Sequence, residues 1–176
     1  MLKSALITSL VLVFAASPAA LKAQSPHGFS VGTSRLLGTA LPNDFYLEGT
    51  AIPTEKRNAA LVMTPSDKQV VFALLDTSGY SSHVQQKYAG MMITEGEITV
   101  CGRQIQVGSY GFGLKQPFPP GNAPGHFTLY NQAGSEVASC EARNDPKLRM
   151  PRPLQVVPAG RAGVRLYLGR LWIEVR

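Results

Sequence analysis

The chain has 176 residues, with 17 Lys or Arg against 11 Asp or Glu (formal net charge +6), 44% hydrophobic residues and only 16% charged ones. The sparse charge with 17 glycines and 13 prolines favours many short strands and turns over long helices. The length suits one domain with a real core.

Residues 1–23 read as an export signal. Lys3 supplies a short positive start, the apolar run 5–16 is too short to span a bilayer, and the small-residue exit "AALKA" after Pro18 sets the expected cleavage after Ala23. The expected product is soluble and exported, to the periplasm or outside the cell. It carries no lipid anchor, because no cysteine lies near the exit.

Residues 24–58 read as a loop-rich N-terminal segment, with "GTALPND" and "AIPTEKRN" as turn clusters around one strand at 45–51. A β-domain is expected over 59–176. Strands at 60–64 and 69–76 flank the turn "PSDK", and a strand at 89–95 leads into "EITVCGRQIQVGSYGFG" at 97–113. Between them, residues 81–90 suit one short helix, with Ser82 three residues before Gln85 in a capping-box spacing and Gly90 as a stop. Strands at 126–131 and 135–142 flank "QAG", and the chain closes with strands at 164–168 and 171–175. The sum is an all-β, antiparallel fold of eight or nine strands with at most one short helix. The expected architecture is a β-sandwich, with an up-and-down, calycin-like barrel as the alternative.

Two Gly-Arg dipeptides serve as hairpin turns. A two-residue turn at Gly102-Arg103 sets Val100 opposite Ile105, Ile98 opposite Val107 and Thr99 opposite Gln106. A turn at Gly169-Arg170 pairs Leu168 with Leu171, Leu166 with Ile173 and Val164 with Val175. On the other face it pairs Tyr167 with Trp172 and Arg165 with Glu174. Each hairpin then has one apolar and one polar face, and the polar face of the last one is either open or packed under a second sheet or a loop.

The stretch "ITVCGRQIQVGSYGFGL" (98–114) resembles the "v-x-G-K-x-L-P-A-G-T-Y-x-F" segment of a family of exported bacterial β-proteins of unknown function. It is also similar to the "P-G-x-Y" loops of carboxypeptidase-regulatory-like and other prealbumin-type sandwiches. The resemblance implies a β-sandwich and transfers no activity.

Cys101 and Cys140 in an exported chain are expected to form a disulfide, closing a loop of about 40 residues and adding about 4 kcal/mol on the chain-entropy model. In a plain meander the two would end near opposite rims. A bend at Gly108, Gly111 and Gly113 is therefore expected to send 110–114 into a second sheet.

Chemistry-bearing motifs are sparse. "DTSGYSSH" (76–83) holds Asp, Ser and His, but neighbours on one short segment rarely converge as a triad, and a polar capping loop is the plainer reading. A hydrolase would have to draw on His83 or His126, since His27 falls in the N-terminal tail. The sequence holds no H-E-x-x-H, EF-hand or C-x-x-C signature, so no metal or cofactor is expected.

Binding surfaces carry the functional reading. Residues 142–176 hold eight basic residues against Asp145 and Glu174. Arg165, Tyr167, Arg170 and Trp172 gather on the last hairpin, and the proline-rich loop 115–125 carries Phe118. The expectation is a non-enzymatic domain that binds an anionic glycan or protein of the cell envelope or exterior, rather than nucleic acid. A barrel holding a small apolar ligand is the rival, and a hydrolase the third possibility.

Overall fold

Period-two alternation of apolar residues organises nearly every segment of this chain, and the backbone follows it. The structure, a computed structural model, describes residues 28–117, 121–160 and 162–176. Thirteen strands and two short helices occur among them: β1 (Ser30–Val31), α1 (Ser34–Ala40), β2 (Asp44–Leu47), β3 (Thr50–Met63), β4 (Gln69–Leu75), α2 (Ser82–Lys87), β5 (Gly90–Thr94), β6 (Ile98–Val100), β7 (Arg103–Ile105), β8 (Gly108–Lys115), β9 (Gly125–Asn131), β10 (Glu136–Asn144), β11 (Arg152–Pro158), β12 (Val164–Gly169) and β13 (Leu171–Val175). All pairings are antiparallel.

The hydrogen-bonded path runs β1-β3-β4-β5-β8-β9-β10-β13-β12-β11. It curls until β11 comes back against β3 and β1, so the two opposed walls belong to one nearly closed sheet. Inside lie Val70, Phe72, Met92, Phe112, Phe127, Leu129, Leu166 and Ile173, each at most 4% exposed. A second apolar layer lies outside the wall made by β3, β4 and β5. There Phe45, Leu47, Ile52, Leu61, Val71 and Met91 pack with Tyr88, and α1 and α2 lie against them. β4 is therefore buried on both faces, which explains its unbroken apolar run.

The all-β, antiparallel expectation holds, but strands are more numerous than the expected eight or nine, and there are two helices. The segment 45–51 is two strands joined at Glu48-Gly49, both residues having left-handed φ (49° and 77°). The "AIPTEKRN" cluster, expected as a turn, lies within β3. A register shift between Glu55 and Ala59 lets the strand absorb its charged residues. β11 carries a proline at each end of its run and lies on the outer margin of the sheet, where a missing N–H costs little. α1 is capped by Thr33, whose hydroxyl accepts from the Leu36 N–H at 3.4 Å.

The last hairpin has the expected register at all five pairs. The earlier one turns one residue sooner than expected, at Cys101-Gly102, pairing Ile98 with Ile105, Thr99 with Gln104 and Val100 with Arg103. Both turn residues have left-handed φ (53° and 72°), the geometry whose twist matches a two-residue hairpin and which Gly102 adopts without strain. Val107, expected opposite Ile98, falls outside the strand and is 63% exposed. In α2 the cap is Ser81 rather than Ser82, while Gln85 donates to the Tyr80 carbonyl at 2.8 Å. The helix stops at Lys87, and Gly90 opens β5.

No bend occurs at Gly108, Gly111 and Gly113, since β8 runs unbroken between β5 and β9. Gly111 and Gly113 serve close approach. A Cβ at Gly113 would strike the Lys87 carbonyl oxygen, and one at Gly111 would lie 2.8 Å from a Leu47 methyl. They let α2 and the β2–β3 hairpin rest on the sheet. The fold-over that joins the cysteines comes from the β6–β7 hairpin, which leaves the β5–β8 pair and docks β6 on β13. β10 and β6 thereby flank the same edge of β13. The Cys101–Cys140 disulfide ties them together across a Cα separation of 5.3 Å.

Candidate anion-binding site

Alternation along β12 and β13 sends Leu166, Leu168, Leu171 and Ile173 into the core and leaves Arg165, Tyr167, Trp172 and Glu174 on the outer face. β10 pairs with β13 at its start, placing Arg143 directly opposite Trp172. Trp172 stands half-buried between strands carrying two arginines. The Arg165 guanidinium carbon lies 4.2 Å from the ring centroid and that of Arg143 lies 5.4 Å away. A guanidinium held against an indole face keeps its N–H edge free for an anion while its plane is desolvated.

The remaining charges sort unevenly. Glu174 accepts from Arg176 at 3.0 Å; that bond, and then the fields of Arg165 and Arg143, hold its carboxyl below the ordinary range. Among the described residues, neither Arg143 nor Arg165 has a carboxylate within ion-pair distance. Lys147 and Arg149, both exposed, lie on the adjoining loop.

That loop explains the other two hairpin residues. Tyr167 is 3% exposed, and its hydroxyl donates to Asp145 at 3.0 Å. Burial pushes the Tyr167 hydroxyl above its ordinary value. The exposed Arg170 turns its guanidinium toward the loop and donates to the carbonyls of Asp145, Pro146 and Leu148, the last at 2.7 Å. The structure thus brings Arg165 and Trp172 together on the open surface and sets Tyr167 and Arg170 beneath or beside the loop as its supports. Phe118, His27 and the segment 1–23, expected to be an export signal, lie outside the described residues.

Arg143 joins the cluster without having been singled out by local pattern. Its one sequence signal is an outward place in the alternation of 136–144, and its partner lies 29 positions away along the chain. Beside the cluster opens a cleft of about 300 Å³, where β10 and β6 part from β13 next to the disulfide.

A second polar cluster lies on the far side of the sheet. Glu48, at the β2–β3 turn, accepts from Lys87 and from the Tyr88 hydroxyl at 2.6 Å, and His83 lies 3.6 Å away. The Lys87 hydrogen bond first, and the Tyr88 hydroxyl second, hold the Glu48 carboxyl down at about 2. Lys87 also sits 5.1 Å from the Tyr130 ring centroid and 5.3 Å from that of Tyr88. These contacts clasp the β2–β3 turn to α2. His83 is drawn into that clasp, whereas His126 lies exposed on β9 in register with Lys115 and Glu141.

Among the described residues, no helix is long and apolar enough to cross a membrane, and no three His, Cys, Asp or Glu side chains converge as a metal set. No protein-family model, curated protein or solved structure is significantly similar to this chain.

Proposed function

We propose that this is an exported binding domain without catalytic activity, which holds an anionic glycan on the outer face of β10, β12 and β13. The observation that carries this reading is the pair of guanidiniums, Arg143 and Arg165, set on one indole ring with no carboxylate in ion-pair contact among the described residues. Two like charges repel, and Glu174, which is in contact with Arg176 and reaches these two only through its field, leaves room for a ligand to bring negative charge into contact with them. The basic excess of residues 142–176 extends the surface beyond one contact, which suits a polyanion. The disulfide supports passage through an oxidising compartment.

A calycin-like carrier of a small apolar ligand has less support, because Phe72, Met92, Phe112, Phe127 and Leu129 fill the barrel interior. The hydrolase reading is also weakly supported, since His83 engages Glu48 rather than a nucleophile.

Binding of polygalacturonate, with neutral dextran as control, tests the proposal. Wild-type protein is expected to bind the acidic polymer in a salt-sensitive manner. The Arg143→Ala, Arg165→Ala double variant is expected to lose at least tenfold in affinity while keeping its fold. Equal affinity for dextran, or a double variant that binds as wild type does, refutes the assignment.

A further inference from the structure

We infer that the cleft between β10, β6 and β13 is a subsite for a single acidic sugar residue; this rests on the anionic-glycan function and names the unit recognised. β10 is in register with β13 only at Leu171 and Trp172, and β6 joins it only near Val175, where Thr99 and Arg176 exchange both backbone hydrogen bonds. Backbone groups of a strand alternate in direction. Since Arg176 turns its amide toward β6, Glu174 turns its N–H and C=O the same way, into the fork, at a residue with no strand partner on that side. A strand edge left open beside a cleft offers fixed donors and acceptors to a ligand.

The side chains around it form a mixed set. Arg143 offers a guanidinium fork, Arg176 and Glu174 form an ion pair at 3.0 Å, Glu141 offers a carboxylate, Thr99 offers a hydroxyl, and Trp172 forms the side toward Arg165. An inorganic anion would use the guanidiniums and be repelled by the carboxylates. A sugar acid uses both, because its carboxylate takes the arginine N–H groups and its hydroxyls donate to the glutamates. A neutral sugar leaves Arg143 without an anion, whereas Arg176 already holds Glu174. The volume of about 300 Å³ falls at the small end of ligand pockets, room for one ring rather than several. The Cys101–Cys140 disulfide bounds the cleft and holds β6 and β10 at their separation.

Titration of ¹⁵N-labelled protein with sodium glucuronate tests this, with glucose and sodium sulfate as separate arms. Glucuronate is expected to move the Glu174 and Thr99 amide resonances saturably, with a Kd at least tenfold lower than either control. Thr99→Tyr, a residue suited to strands, fills the cleft and is expected to weaken glucuronate at least tenfold; should that variant not fold, the wild-type titration decides. Glucuronate that leaves Glu174 unmoved, sulfate or glucose binding equally well, or a folded Thr99→Tyr protein with unchanged affinity overturns the subsite. If the double arginine variant still loses polygalacturonate in that event, the surface function stands alone; if it does not, both fall.

Discussion

Replacing Glu48 by Gln isolates the charge of the clasp that joins the β2–β3 turn to α2, because the amide oxygen still accepts from Lys87 and Tyr88. The native carboxyl sits at about 2 against an ordinary 4.5, a difference worth roughly 3 kcal/mol if fully expressed. A third of the side chain (34%) faces water, so screening cuts this to about 1 kcal/mol. The folded-state value is depressed, so the stabilisation is present above pH 4.5 and is lost as pH falls toward 2. Urea unfolding of both proteins should therefore show Glu48→Gln less stable by about 1 kcal/mol at pH 7, with the gap clearly smaller at pH 3. Equal stabilities at pH 7, or the same gap at both pH values, would refute the electrostatic account of this contact.

The double variant Cys101→Ser, Cys140→Ser should lose about 4 kcal/mol of stability in urea unfolding. Hydrogen exchange at the Thr99 and Arg176 amides should accelerate with it, and unchanged exchange would mean that the β6–β13 contact holds without the bridge. Gly113→Ala forces the Lys87 carbonyl away from β8 and should cost about 1–3 kcal/mol; a neutral result would mean that α2 shifts freely. Arg170→Ala removes three donations to the 145–148 carbonyls and should cost about 1 kcal/mol. It should also speed tryptic cleavage after Lys147 and Arg149, and resistance equal to wild type would show that Asp145 and Tyr167 hold the loop alone.

Local pattern made some of this fold plain and hid the rest for identifiable reasons. The β12–β13 register was readable because five cross-strand pairs agree with one two-residue turn, and a slip would break several at once. At the β6–β7 hairpin only three pairs exist, so a turn one residue earlier was equally compatible with Ile98, Val100 and Ile105 facing inward. β3 was obscured by Pro53, Glu55, Lys56 and Arg57, which deny it alternation; it survives as a strand because a register shift tolerates them and β2 and β4 supply partners. The glycines of β8 resemble turn residues in a one-dimensional reading. The use of Gly113 as bare floor under the Lys87 carbonyl depends on a helix some twenty-five positions earlier in the chain.

The same division runs through the candidate site. Alternation and turn chemistry, which act over a few residues, were enough to establish an antiparallel β-domain and to put Arg165 and Trp172 on the same face of the last hairpin. They could not tell that Tyr167 would be roofed by the loop at 145–148, or that Arg170 would serve that roof. Nor could they bring Arg143 beside Trp172 or open the fork where β10 and β6 share an edge of β13. Those outcomes come from the closure of the sheet, which pairs strands distant in the chain because burying their apolar faces together lowers the free energy. Long-range pairing of that kind leaves no periodic trace in either strand alone.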